Sequence, residues 1–166
     1  MGIRPLALGL QRSPPMSQSG ILLLFMALAA QNQHVQAEKV ETSCLAQALY
    51  YEARGEGERG QEAVAEVILD RARSGAHGKT ICSVLHEPGQ FSYLTDGSML
   101  HTIDEDAWQS SEDLANRILH GKIVTKITQR ALYYHTVSVR PDWADAMVRT
   151  VQIGNHVFYR ERRRTS

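Results

Sequence analysis

Apolar positions recur at helical spacing through the first two-thirds of the chain and switch to alternation in the last third. Leu45, Ala48, Leu49 and Glu52 fall at i, i+3, i+4 and i+7, one face of a helix. Thr42 or Ser43 is expected to cap that helix, and Gly55 and Gly57 to end it. In "GQEAVAEVILDRARSG" a second helix carries Val64, Val67 and Ile68 on its stripe and stops at Gly75. A connector follows, with turn signals at Pro88-Gly89 and Asp96-Gly97. Trp108, Leu114, Ala115, Ile118 and Leu119 then predict a third helix, from near Asp104 to Gly121. Beyond it "RALYYHTVSV" is β-branched and aromatic, which predicts a strand. "VRTVQIGNHVFYR" predicts a hairpin around Gly154-Asn155, with Ile153 opposite His156 and Val151 opposite Phe158.

One position breaks the pattern. Glu52 continues an apolar stripe, where a carboxylate would be partly desolvated. Desolvation disfavours the charged form and raises the pKa, so such a group can hold a proton near neutral pH. A boundary glutamate on an amphipathic helix would look the same. Glu56, Glu62 and Glu66 are expected to face water.

The chain ends differ in character from the middle. Arg4 and Arg12 precede the apolar run "ILLLFMALAA", Ile21 to Ala30, and "VQA" ends at Ala37. Residues 1–37 are therefore read as a secretory signal, the apolar run being too short to span a bilayer comfortably; a retained anchor is the alternative. Removing them takes away two basic residues and no acidic one, so the chain goes from formal neutrality to a net −2. Neither value implies attraction to nucleic acid. Residues 38–166 form one domain, with its core from 44 to 160 and a basic tail at 161–166. In an exported protein the two cysteines, Cys44 and Cys82, suggest one disulfide, with two buried thiols as the alternative.

Other chemistry is less specific. His135 and His156, with Asp142 or Asp145, could complete a zinc set, but no HExxH-like spacing appears. There is no CxxC, no G-x-S-x-G elbow and no phosphate-binding glycine loop. No metal and no cofactor is expected. Tyr133, Tyr134, Trp143 and Tyr159 suit a core or the wall of a sugar-binding groove.

Several blocks in order are familiar. "CLAQALYYEARGEGERGQEAVAEVILDR", "TICSVLHEPGQFS", "ALYYHTVSVRPDWA" and "IGNHVFYR" resemble the cell-wall hydrolase family that includes the spore-cortex-lytic enzymes. The likeness runs from about Cys44 to Arg160. It implies an α+β, predominantly α, lysozyme-like catalytic domain with a small C-terminal β-hairpin or sheet. It implies an exported, periplasmic or envelope-associated monomer acting on peptidoglycan glycan strands, as a lytic transglycosylase. The family's catalytic glutamate corresponds to Glu52, and the matching blocks imply cleft positions for Gln90, Phe91, Ser92, Tyr134, His135, Trp143 and His156. The family often has Asn-Arg where this chain has Asp70-Arg71, which adds a candidate second acid. Two alternatives follow: a muramidase-type hydrolase pairing Glu52 with Asp70 or Asp96, and a wall-binding module without turnover.

Overall fold

A computed structural model describes residues 18–100, 103–123 and 126–162. The chain divides into two units, Met1–Gln36 and Ala37–Ser166. In the first, the described residues are helical, and Leu22, Leu23, Phe25 and Met26 are exposed. Among the described residues no helix is long and apolar enough to cross a membrane.

The second unit is mostly helical with a small antiparallel sheet. Its helices are α1 (Gln18–Ala53, which begins in the first unit), α2 (Gly57–Ser74), α3 (Ile81–Leu85) and α4 (Glu105–Leu119). Its strands are β1 (Tyr133–Thr136), β2 (Val148–Ile153) and β3 (His156–Arg160). The sheet order is β1-β3-β2, so β3 is paired on both edges.

The helix that ends at Glu52's turn does not begin at Thr42 or Ser43. Thr42 is interior to α1 and its hydroxyl donates to the Glu38 carbonyl one turn back, at 2.9 Å. A threonine inside a helix can satisfy its hydroxyl this way, so its presence does not mark a start. The expected stripe is buried: Leu45, Ala48 and Leu49 pack with Val64 and Ile68 of α2 and with Leu114, Ala115 and Ile118 of α4. Truncating a residue such as Leu49 to alanine would cost roughly 2–5 kcal/mol.

The connector is more ordered than its turn signals suggest. Thr80 and Ser83 form a capping box that starts α3. Glu41 of α1 accepts the Ile81 N–H at 2.6 Å, and Cys44 and Cys82 are joined by a disulfide one turn away. Both links tie α3 to α1.

The hairpin has the expected register, with Ile153 opposite His156. A bulge between Arg149 and Gln152 puts both Thr150 and Val151 opposite Phe158. Glu56 does not face water. Its Oε2 accepts the Asn155 N–H at 2.7 Å, and a Cβ on Gly154 would lie 2.1 Å from that oxygen. The Gly154 φ of +55°, in the left-handed region, favours glycine at this turn. Glu66 is another correction: it is 3% exposed and accepts the N–H groups of Ile127 and Thr128 at 2.6 and 3.0 Å. A buried carboxylate with two charge-assisted donors can replace hydration, and here it anchors the segment that leads into β1.

Candidate active site

Glu52 is in the last turn of α1, and Tyr134 is in β1. Packing Phe158 and Ile153 against Ala63 and Val67 sets the sheet on α2 and brings β1 alongside the end of α1. A cleft of about 680 Å³ opens there. Glu52 lies in it, and among the described residues it is the one carboxylate in the lining.

The carboxyl of Glu52 is pushed above its ordinary value, first by burial. Tyr134 opposes this, its hydroxyl donating to Glu52 Oε2 at 3.3 Å, while the negative charge of Asp96 adds to the rise and Arg71 lowers it. Burial beside Glu52 pushes the Tyr134 phenol up in turn, so it remains a donor. The result is a carboxyl poised to release a proton and then be held as an anion.

Five further nominated residues share this cleft. Gln90 and Ser92 come from the connector, His135 from β1 and Trp143 from the 3₁₀ turn Asp142–Ala146. His135 Nδ1 donates to the Thr136 carbonyl at 2.8 Å, and its Nε2 is hydrogen-bonded with the Tyr159 hydroxyl at 3.0 Å. Its ring stacks on Tyr159 and meets Trp143 edge-on, giving the cleft an aromatic wall. His156 also lines the cleft, edge-on to Tyr134, and its Nδ1 is buried with no hydrogen-bond partner among the described residues. Burial lowers its pKa, favouring the neutral ring.

Phe91 is elsewhere. It is 3% exposed in the main core and does not line the cleft. Alternation explains this: in "GQFS" the apolar member points inward while Gln90 and Ser92 stay at the surface. Asp70 pairs with Arg73 and lines other cavities, away from Glu52's cleft. Asp96 is exposed, accepts the Ser98 N–H at 2.8 Å and is absent from the lining, although Glu52 feels its charge. Among the described residues no three His, Cys, Asp or Glu side chains gather as a metal site, so Asp142 and Asp145 do not join the histidines.

The family model for cell wall hydrolases matches residues 55–159. The chain belongs to that family. The spore cortex-lytic enzyme of Bacillus cereus is 34% identical over 117 residues, 69% of this chain and 42% of that protein. The spore cortex-lytic enzyme of Bacillus subtilis is 33% identical over 115 residues, 69% of this chain and 35% of its own. The chain thus spans well under half the length of these curated relatives. Two solved structures align with a TM-score of 0.57 at 32% identity over 72% of this chain. One is the catalytic domain of the Bacillus cereus SleB protein, 89% covered. The other is the catalytic domain of the germination-specific lytic transglycosylase SleB from Bacillus anthracis, 93% covered.

The family match starts three residues beyond Glu52. Arg71 of the cleft and Tyr93 of the main core both escaped the sequence reading. Arg71 lines the cleft although it is 4% exposed, and its Nε donates to the Leu132 carbonyl at 2.7 Å. It follows Val64 by two helical turns on the stripe of α2, the same signal that singled out Glu52. Tyr93 stacks on Tyr51, its buried hydroxyl has no partner among the described residues, and its pKa is raised by burial and then by the charge of Glu52. Nothing in its spacing distinguished it from a core tyrosine.

Proposed function

We propose that this protein is an exported enzyme that cuts peptidoglycan glycan strands as a lytic transglycosylase, with Glu52 as both general acid and general base. The observation that carries the reading is a lone carboxylate in the cleft, desolvated and hydrogen-bonded by Tyr134. The names of the similar proteins support the substrate class.

Glycosidic cleavage requires protonation of the leaving oxygen, since an alkoxide departs poorly. Protonated Glu52 donates to the oxygen linking N-acetylmuramic acid to N-acetylglucosamine, and the C1–O bond of the muramic residue breaks. The 6-hydroxyl of that residue then bonds to C1, and its proton passes to the Glu52 carboxylate. The 1,6-anhydro ring closes, Glu52 regains its proton, and no water is consumed. A tethered hydroxyl reacts at high effective concentration, so no second carboxylate is needed to activate water. The hydrolase alternative needs such a group, and the positions of Asp70 and Asp96 weigh against it. The rings of His135 and Trp143, both in the cleft lining, suit the apolar faces of sugar rings.

Residues 1–37 are proposed as the export signal; the apolar run Ile21 to Ala30 and the small-residue ending at Ala37 support this. The test of the function is dye release from purified sacculi. Wild-type protein should release dye, and Glu52→Gln should reduce the rate by ~10²–10⁴ while retaining its fold. Folded Glu52→Gln protein with wild-type turnover would overturn the assignment.

A further inference from the structure

A guanidinium removed from water normally meets a carboxylate. Arg71 is 4% exposed and, among the described residues, belongs to no ion pair. The rings of Phe91 and Tyr133 each lie 5.8 Å from its guanidinium carbon, and one N–H, on Nε, is spent on Leu132. The charged and titratable groups that face it are Glu52 of α1, Glu87 after α3, and Tyr133 and Tyr134 of β1. None of these hydrogen-bonds to it. Glu87 is engaged by His77 at 2.9 Å and Glu52 by Tyr134. Its two Nη nitrogens therefore have no hydrogen-bond partner among the described residues, and neither is sealed from solvent. What remains of their surface opens into the cleft that holds Glu52.

We propose that Arg71 is a substrate-binding residue whose free Nη edge donates to an acyl oxygen of the muramic residue at the scissile bond. This rests on the functional reading above, which puts the C1–O bond of a muramic residue at Glu52. That residue carries two acyl oxygens of suitable chemistry, on its N-acetyl group and on its 3-O-lactyl group. A planar fork of donors between two aromatic rings matches such an oxygen, whereas a lysine ammonium would fit neither the slot nor the geometry. The ring contacts and the bond to Leu132 fix the fork before substrate arrives, so little ordering is lost on binding. The burial of the charge without a partner is the cost that such a site accepts in exchange.

The experiment uses the full chain carrying Glu52→Gln, which binds without cutting. Its affinity is measured for a soluble murein oligosaccharide and for an N-acetylglucosamine oligomer of equal length, with and without Arg71→Lys. Arg71→Lys should weaken murein binding about 10- to 100-fold. A loss confined to murein assigns the lactyl oxygen, and an equal loss for both sugars assigns the N-acetyl oxygen. Unchanged affinity for both, in folded protein, overturns the proposal. If Arg71→Lys does not fold, the guanidinium resonances of Arg71 in the Glu52→Gln protein decide, and resonances unmoved by saturating murein overturn it equally. Cleavage by the wild-type chain is followed in parallel. Absence of released muropeptides sinks the functional reading, whereas intact cleavage with unchanged Arg71→Lys affinity sinks only the role of Arg71.

Discussion

The Tyr134 hydroxyl donates to Glu52 Oε2 at 3.3 Å, so strand β1 steadies the carboxylate that helix α1 presents. That bond favours the ionised form and holds down a pKa that burial raises. Removing it in Tyr134→Phe should move the pKa further up. Glu52 would then stay protonated to higher pH, and the basic limb of the pH–rate profile should shift upward. A shift in the opposite direction would mean that Tyr134 bonds the protonated acid instead.

The same burial has a cost in stability. In the folded chain burial holds the Glu52 pKa above the ordinary glutamate value of 4.5. Below about 4.5 both the folded and the unfolded chain hold the proton, and burial imposes no charge penalty. As pH rises through the folded pKa the unfolded chain ionises more readily, and this contribution to stability is lost. Glu52→Gln should therefore melt higher than wild type at neutral pH, with the difference closing in acid. Thermal unfolding across pH measures this directly, and an equal or lower Tm at neutral pH would contradict it.

Glu66 is an anchor with nothing to do with proton transfer. Both N–H groups that it accepts use its Oε2. Glu66→Ala should cost about 1–3 kcal/mol for each orphaned donor, and Glu66→Gln less, since one amide oxygen can accept both. Chemical denaturation reads the difference.

The bond between Cys44 and Cys82 closes a loop of 38 residues. In the chain-entropy model this is worth about 4 kcal/mol. The Cys44→Ser, Cys82→Ser double variant should unfold at clearly lower denaturant, and unreduced protein from an oxidising compartment should show no free thiol on titration.

Much of this was legible in the sequence because local signals agreed with the final packing. The α2 stripe, the α4 stripe and the Gly154-Asn155 turn each combine period with a stop residue. Glu52 was legible because it stood where an apolar residue should. Arg71 carried the same signal, but a basic residue near a helix end also complements the helix dipole, and that reading conceals burial. Glu56 and Glu66 were misread because their partners are backbone N–H groups 99 and 61 residues away, which no local pattern reveals. Thr42 was misread because capping and back-bonding use the same hydroxyl.

The central claim is that Glu52 works alone and that the substrate's own hydroxyl is the acceptor. Mass spectrometry of muropeptides released from sacculi tests it most directly. The expected products end in 1,6-anhydro-N-acetylmuramic acid, lighter by one water than hydrolysed ends and resistant to borohydride reduction. A predominance of reducible muramic ends would show water to be the acceptor and would contradict the single-carboxylate mechanism.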